Sequence, residues 1–233
     1  MNHERISPSP RLVLFDLDDT LCDYAGARVG RLHRAFGEAL SHVPGGDRVD
    51  LDRMVAESIE IQPHGSDHFA AVLTKYGAGR ADLVHRARAW FHANRFEGLQ
   101  LFPGAIDLLD DLRGLDSAPR IGMITNGPTD VQDAKLDRLG IRKKFDFILI
   151  SEAFGVPKPD RRIFEAALQR GPAPAADAVF IGDAPEFDIA GAHRCGMRTI
   201  WMDHGRFPWP TELPRPDWIA PDLAAVRALL LGA

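Results

Sequence analysis

Leu12-Val13-Leu14-Phe15 runs directly into Asp16-Leu17-Asp18-Asp19-Thr20, so four apolar residues are followed at once by a group of three carboxylates. An uninterrupted apolar run with β-branched and aromatic members is typical of a short strand buried on both faces of a parallel sheet. Carboxylates have no use inside such a strand, and parallel sheets bind ligands outside the carboxyl ends of their strands. The stretch therefore predicts an α/β fold with a site at this strand end. A turn capped by Asp19 and Thr20 is the alternative.

The pattern changes to helical periodicity over residues 25–94. Apolar residues recur there at spacings of three and four, and Pro- or Gly-rich punctuation separates the repeats at 44–46, 63–65 and 77–79. This predicts a bundle of about four helices, which contributes no strand to a sheet. We therefore predict an α/β core domain from residues 1–23 and 99–233, with an inserted helical domain from residues 24–98.

Strand and helix patterns alternate again after the insertion. Further apolar runs predict strands at residues 120–125, 145–150, 178–183 and 198–202. Helical patterns lie between them, and Asp160 caps one of these helices. Such alternation argues for a Rossmann-like parallel sheet wound with right-handed crossovers. The proline-rich residues 203–217 are expected to be irregular, and residues 223–231 to form a last helix.

Polar side chains close three of these strands. Asp16, Thr125 and Asp183 each follow or end an apolar run, and strand ends of a parallel sheet share one edge. A fourth group, Lys158, stands between two prolines that restrict its loop. A lone lysine is usually a solvated surface charge, but this rigid setting favours a functional one.

This set of groups suits phosphoryl transfer, where catalysis consists mostly of positioning and electrostatic stabilisation. Mg²⁺ prefers octahedral oxygen ligands and is usually bound through one or two carboxylates, waters and a substrate phosphate. Asp16, Asp183 and the backbone carbonyl of Asp18 are the candidate protein ligands. Without a metal, these carboxylates would repel a phosphate.

Four segments together resemble the motifs of the haloacid dehalogenase superfamily, in that superfamily's order, across residues 12–202. They are Asp16-Leu17-Asp18-Asp19-Thr20, Ile124-Thr125-Asn126-Gly127, Val156-Pro157-Lys158-Pro159-Asp160 and Ile181-Gly182-Asp183-Ala184-Pro185-Glu186-Phe187-Asp188. Each motif is weak alone, but four at the ends of successive elements are a specific signal. The resemblance implies a five-stranded sheet in the order 5-4-1-2-3, with the helical insertion serving as a cap.

The resemblance also implies roles for the acids. Asp16 would be the nucleophile and form an aspartyl-phosphate. Asp18 would protonate the leaving alkoxide and then deprotonate the attacking water. Asp183 would bind Mg²⁺ directly, together with Asp16 and the Asp18 carbonyl, and Asp188 would support the site from the next helix.

The remaining implied roles concern the phosphate. Thr125 and the backbone N–H of Asn126 would hold phosphate oxygens, and Lys158 would neutralise the phosphate and the intermediate. The fourth motif departs from the pattern at Phe187, where relatives often carry Asn.

The resemblance favours a Mg²⁺-dependent phosphatase for a small soluble phosphomonoester of the nucleoside monophosphate or sugar phosphate type. A phosphomutase uses the same two acids and stays open. A dehalogenase is a weaker alternative, because that branch lacks an acid at the position of Asp18. A non-catalytic phosphometabolite-binding protein is the rival from another class. The inserted helices are expected to decide among substrates.

Composition and charge further restrict the kind of protein that this sequence can encode. A net charge of −5 without a Lys/Arg cluster gives no electrostatic footprint for nucleic acid. No window is apolar enough for a membrane span, so a cytoplasmic protein is expected. Cys22 and Cys195 are too few for a disulfide framework and are expected to be small buried hydrophobes. His64 and His68 stand four residues apart, and the predicted cap histidines are taken as surface or interhelical groups.

Overall fold

A computed structural model describes residues 5–61 and 66–232. The chain divides into two compact units. One is the continuous segment Tyr24–Leu99, and the other combines Met1–Asp23 with Gln100–Ala233.

The unit Tyr24–Leu99 is helical. Its helices are α1 (Tyr24–Leu40), α2 (Leu51–Ile61), α3 (Phe69–Lys75) and α4 (Ala81–Ala93), with a 3₁₀ turn at Gly46–Arg48. Three buried aromatic rings lie in its core: the Phe69 ring centroid is 4.8 Å from Phe36 and 5.3 Å from Phe91. The apolar periodicity of the sequence thus corresponds to a stripe on each helix that faces a common core.

Histidines of this unit join its segments. His68 Nε2 lies 2.5 Å from Ser58 Oγ of α2, and His92 Nε2 lies 2.9 Å from Ser66 Oγ. Burial lowers the pKa of His68, and the nearby Arg28 guanidinium adds to this effect. His64, the other member of the predicted pair, lies outside the described residues.

The second unit is built on a six-stranded parallel sheet. Its strands are β1 (Leu12–Phe15), β2 (Arg120–Thr125), β3 (Phe147–Ile150), β4 (Ala178–Gly182), β5 (Arg198–Met202) and β6 (Trp218–Ala220). Their spatial order is β3-β2-β1-β4-β5-β6. The predicted order 5-4-1-2-3 is therefore confirmed for the first five strands, and the count of five is corrected by β6 at one edge.

Strand β6 follows the proline-rich segment and pairs with β5 from Ile200 to Met202. Its start is fixed by Asp217, whose Oδ2 accepts hydrogen bonds from Thr199 N–H at 2.7 Å and Thr199 Oγ1 at 3.0 Å. Three residues are too short for a recognisable period of two. The pairing therefore depends on contacts that the local sequence does not reveal.

Helices flank this sheet. They are α5 (Ala105–Arg113), α6 (Thr129–Arg138), α7 (Ser151–Phe154), α8 (Arg161–Arg170), α9 (Ala190–Arg194) and α10 (Leu223–Leu231), with a π-helical turn at Pro185–Ile189. Asp160 caps α8 as predicted, because its Oδ1 accepts a hydrogen bond from Arg162 N–H at 2.9 Å. Helix α8 packs on the sheet through Phe164, whose ring centroid lies 5.4 Å from that of Phe180 on β4. Within residues 5–61 and 66–232, no helix combines the length and apolar character needed to cross a membrane.

Candidate active site

Three strand ends meet at one edge of the parallel sheet. Phe15 of β1 pairs with Met123 of β2 and with Ile181 of β4. Asp16 follows Phe15 directly, and its N–H donates to the Ile181 carbonyl at 2.9 Å. Thr125 stands two residues after Met123, and Asp183 stands two residues after Ile181. The strand register therefore brings Asp16, Thr125 and Asp183 to the same edge of the sheet.

A buried lysine joins two of the predicted acids. Lys158 Nζ donates to Asp16 Oδ1 at 2.5 Å and lies 2.6 Å from Asp188 Oδ1 as an ion pair. The Lys158 side chain is 3% exposed, against 9% for Asp16 and 1% for Asp188. Burial alone would lower the pKa of Lys158, but the Asp16 and Asp188 carboxylates raise it above its usual value. Lys158 is therefore an ammonium ion held between two carboxylates.

The side chain of Asn126 fixes the loop that carries this lysine. Asn126 Nδ2 donates to the Lys158 carbonyl at 3.0 Å, and the Lys158 N–H donates to Asn126 Oδ1 at 2.8 Å. The second and third motifs are thus tied by a pair of hydrogen bonds. The sequence motifs assign a role only to the backbone N–H of Asn126. They do not predict that the Asn126 side chain holds the Lys158 loop.

A wide turn brings Asp188 back to the sheet. The π-helical turn Pro185–Ile189 follows β4, and Asp188 Oδ2 accepts from Ala184 N–H at 3.1 Å. A Cβ on Gly182 would lie 2.3 Å from this oxygen, so the carboxylate occupies the space that a side chain would fill. Turns of this π type occur frequently at functional sites. Phe187 of the same turn is 47% exposed, whereas Asp188 is 1% exposed.

Asp16, Asp183 and Asp188 form what we call the carboxylate cluster. One oxygen of each lies within 4.8 Å of the other two. Burial raises the pKa of Asp16 to about 7, although Lys158 opposes the rise. Burial also raises the pKa of Asp183 to about 9, with Asp188 and Asp16 adding to it. Acids crowded in this way are stabilised by a cation, and their oxygens can hold a divalent metal ion.

Asp18 has a different environment, although it stands only two residues from Asp16. Lys135 Nζ of α6 donates to both of its carboxylate oxygens, at 2.6 Å and 2.8 Å. Gln132 Nε2, one turn earlier on α6, donates to Asp18 Oδ2 at 3.2 Å and also to Thr125 Oγ1. We call Asp18, Lys135 and Gln132 the helix-held group. The side chain of Asp18 therefore faces α6, while a metal contact through its backbone carbonyl stays a prediction.

Sequence reasoning missed Gln132 and Lys135. They are 1% and 4% exposed. Together with Leu136 and Leu139 they follow the spacing of a core-facing helical stripe. Two polar residues on such a stripe could have identified these positions from the sequence, because buried polar side chains need hydrogen-bond partners.

The turn after Asp18 is held by two residues that follow β5 in the chain. Asp19 has a positive φ of 56°, and its carbonyl lies 2.6 Å from His204 Nε2. Arg206 donates to Asp19 Oδ1 at 3.2 Å. Trp201 of β5 donates from Nε1 to the Asp183 carbonyl at 2.8 Å. Strand β5 thus supports the loop that carries Asp183, and the segment after it supports the turn that follows Asp18.

Residues 10–196 match the model of a family described as haloacid dehalogenase-like hydrolases. Among curated proteins, the chain is 33% identical over 224 residues to the glyceraldehyde 3-phosphate phosphatase of Methanopyrus kandleri, with 93% of each chain covered. It is 37% identical over 129 residues to the pyrimidine 5'-nucleotidase YjjG of Escherichia coli, covering 55% of this chain and 56% of that one.

A solved structure shares the architecture. The magnesium-bound HAD-hydrolase YfnB from Bacillus subtilis superposes with a TM-score of 0.72 at 26% identity, covering 96% of this chain and 99% of that one. The match spans almost the full length of both chains, the helical insertion included.

Proposed function

The chain belongs to the haloacid dehalogenase-like hydrolases, and we propose that it is a Mg²⁺-dependent phosphatase that acts on small phosphomonoesters through an aspartyl-phosphate on Asp16. The observation that carries this proposal is the buried Lys158–Asp16 contact at 2.5 Å inside the carboxylate cluster. The phosphatase activities of the Methanopyrus and Escherichia relatives support the same reaction class.

In the first step, a carboxylate oxygen of Asp16 forms a bond to phosphorus as the bond from phosphorus to the substrate alkoxide breaks. Asp18 gives a proton to that alkoxide, which leaves as an alcohol. The Lys158 ammonium, 2.5 Å from Asp16 Oδ1, offsets negative charge on the nucleophile and on the transferring group. Thr125 and the Asn126 N–H hold phosphate oxygens.

In the second step, a water molecule attacks phosphorus of the aspartyl-phosphate. Asp18 now takes the proton of that water, the acyl phosphate bond breaks, and inorganic phosphate leaves. Asp16 returns to a free carboxylate. Because Asp18 gives and takes one proton per turnover, its orientation matters in both steps.

Asp16, Asp183 and Asp188, with the Asp18 carbonyl, are the groups that would hold Mg²⁺. Bound there, Mg²⁺ supplies positive charge that screens the acids from the incoming phosphate and stabilises the charge of the transferring group. The oxygen-only donor set agrees with this choice of metal.

The helical unit is proposed to choose the leaving group. The groups assigned to the strand edge act on the phosphate, the metal and the bridging oxygen, which all phosphomonoesters share. Tyr24 and Arg28 begin α1, and Arg28 is a buried cation whose pKa burial lowers. Replacing Arg28 by Met should change kcat/KM differently for glyceraldehyde 3-phosphate and pyrimidine nucleotides. The exposed Arg53, replaced in the same way, is the control.

The deciding experiment is a screen of phosphorylated metabolites with Mg²⁺, scored as inorganic phosphate released. Glyceraldehyde 3-phosphate, pyrimidine nucleoside monophosphates and nitrophenyl phosphate form the first panel. Release without an activating bisphosphate separates hydrolysis from mutase chemistry, and halide release from a 2-haloacid scores the dehalogenase alternative. If the purified protein binds these phosphates but releases none from any of them, it is a binding protein and the proposal fails.

A further inference from the structure

Helix α6 sends two buried polar side chains to the strand edge from successive turns. Gln132 and Lys135 are three residues apart and therefore share one face of α6, which otherwise buries Leu136. Their partners on the sheet are Asp18 and Thr125, and Lys135 lies 117 residues beyond Asp18 in the chain. The Lys135 side chain is 5% exposed and that of Asp18 is 23% exposed, so the ion pair is partly buried. Desolvation offsets much of the attraction in such a pair, so stability alone is a weak explanation for it.

We propose that Lys135 is a positioning residue that fixes Asp18 for proton transfer, and that Gln132 couples this carboxylate to the phosphate-holding hydroxyl of Thr125. The inference rests on the proposed function, because it assigns a role to groups that act through Asp18. Lys135 itself contacts neither the phosphate nor the metal in this scheme.

The case for Lys135 is geometric. Its ammonium lies within 2.8 Å of both oxygens of Asp18, so rotation of that carboxylate breaks at least one contact. Two further groups contact this carboxylate, and both contacts are longer. Gln132 Nε2 lies 3.2 Å from Asp18 Oδ2, and Cys22 Sγ lies 3.8 Å from Asp18 Oδ1. A lysine side chain loses much rotamer freedom when it is held in one place. That loss is made once, on folding, and the acid is then in position at each turnover.

Gln132 contacts Thr125 as well as Asp18. Its amide nitrogen carries two hydrogens, and the two acceptors in reach are Thr125 Oγ1 and Asp18 Oδ2. One amide therefore sets the distance between the hydroxyl proposed to hold phosphate and the acid proposed to protonate the leaving group. Loss of this amide should disturb phosphate binding and proton transfer together, whereas loss of Lys135 should disturb only proton transfer.

The test is a cycle of Lys135→Met and Asp18→Asn, assayed with an alkyl phosphate and with nitrophenyl phosphate. Met keeps a linear side chain of similar length but removes the charge and the donors. We expect Lys135→Met to lower kcat on the alkyl phosphate by about 10- to 100-fold, since small displacements of a catalytic group have effects of this size. Nitrophenyl phosphate, whose leaving group needs little protonation, should change by less than about threefold.

In the Asp18→Asn background, Lys135→Met should have no further effect on the alkyl phosphate, because residues that act as a unit are non-additive. Arg138→Met is the matched control, since Arg138 is an exposed cation on the same helix. Gln132→Leu should raise KM for both substrates and also lower kcat on the alkyl phosphate.

Equal losses on both substrates in Lys135→Met, or a full further loss in the Asp18→Asn background, overturn the proposal. If Lys135→Met does not fold, Lys135→Gln keeps a donor and is judged by the same leaving-group comparison. Failure of the proposed function would look different, because the unmodified protein would then release no phosphate from either ester.

Discussion

The carboxylate cluster and the helix-held group lie side by side at one sheet edge, yet their charges are balanced in different ways. In the cluster, three carboxyl groups face one ammonium, that of Lys158, so full ionisation would leave two uncompensated negative charges, and the raised pKa values of Asp16 and Asp183 oppose it. In the helix-held group, Asp18 faces Lys135, and their charges cancel when Asp18 is ionised. The cluster is thus the part of the site whose side chains could take up a divalent cation, whereas the side chain of Asp18 already has a cationic partner in Lys135. If the proposed function holds, loss of a cluster side chain and loss of Lys135 should differ in their effect on metal binding.

The largest effect should come from the nucleophile of the cluster. Asp16→Asn keeps the shape of the side chain but cannot form an acyl phosphate, so phosphate release should fall by more than about 10⁴-fold. Steady-state release with nitrophenyl phosphate measures this, since that ester needs no help in leaving. Circular dichroism and thermal unfolding serve as the control for folding. Residual turnover within tenfold of the parent would remove Asp16 from this role.

Metal removal should come next in size. Excess chelator should lower activity by about 10³-fold or more, because a catalytic metal ion typically supplies several kcal/mol of charge stabilisation. Ca²⁺ should inhibit, since it relaxes the octahedral geometry. Mg²⁺ should also raise the thermal midpoint of the resting protein, because a ligand of the folded state stabilises it.

Asp183→Asn is the variant matched to metal removal. It should abolish the rise in thermal midpoint with Mg²⁺, whereas Lys135→Met should retain that rise. A variant of the helix-held group that loses the response would mean that the two halves are not separate.

The proton-transfer acid should have a smaller and substrate-dependent effect. Asp18→Asn should lower kcat on an alkyl phosphate by about 10²- to 10⁴-fold, the usual range for general acid–base help. Nitrophenyl phosphate should lose much less. A plot of log kcat against leaving-group pKa should therefore be steeper for the variant than for the parent. Parallel plots would show that Asp18 does not protonate the leaving group.

The smallest effect concerns the support of the cluster. Gly182→Ala places a Cβ against Asp188 Oδ2, so Asp188 must move. Overpacking of this kind lowers the free energy of unfolding by about 1–3 kcal/mol. Chemical denaturation measures it. Gly30→Ala in α1 is the control, because a Cβ there meets nothing within 4 Å, and it should stabilise by about 0.5–1 kcal/mol.

The parts of the molecule that sequence reasoning found are those whose signal is local. The run before Asp16 identifies a buried strand and its end at once, and resemblance then orders the strands. The role of Lys135 was not predicted, because its partner Asp18 is 117 residues away and because a lysine on a helix is usually solvated. Asn126 was assigned to the site, but its side-chain bonds to Lys158 depend on how two loops meet. Strand β6 escaped because three residues carry no period.

Strand β6 has a consequence for solubility. A parallel sheet that ended at β5 would present the backbone of a five-residue strand, Arg198–Met202, whose last three residues are apolar, as a template for another chain. The three residues of β6 pair with the apolar part of that backbone, Ile200 to Met202, and offer a shorter edge, which begins next to Asp217. The opposite edge, β3, is only four residues long. Both borders of the sheet are therefore poor sites for strand addition, and the protein should resist edge-to-edge aggregation.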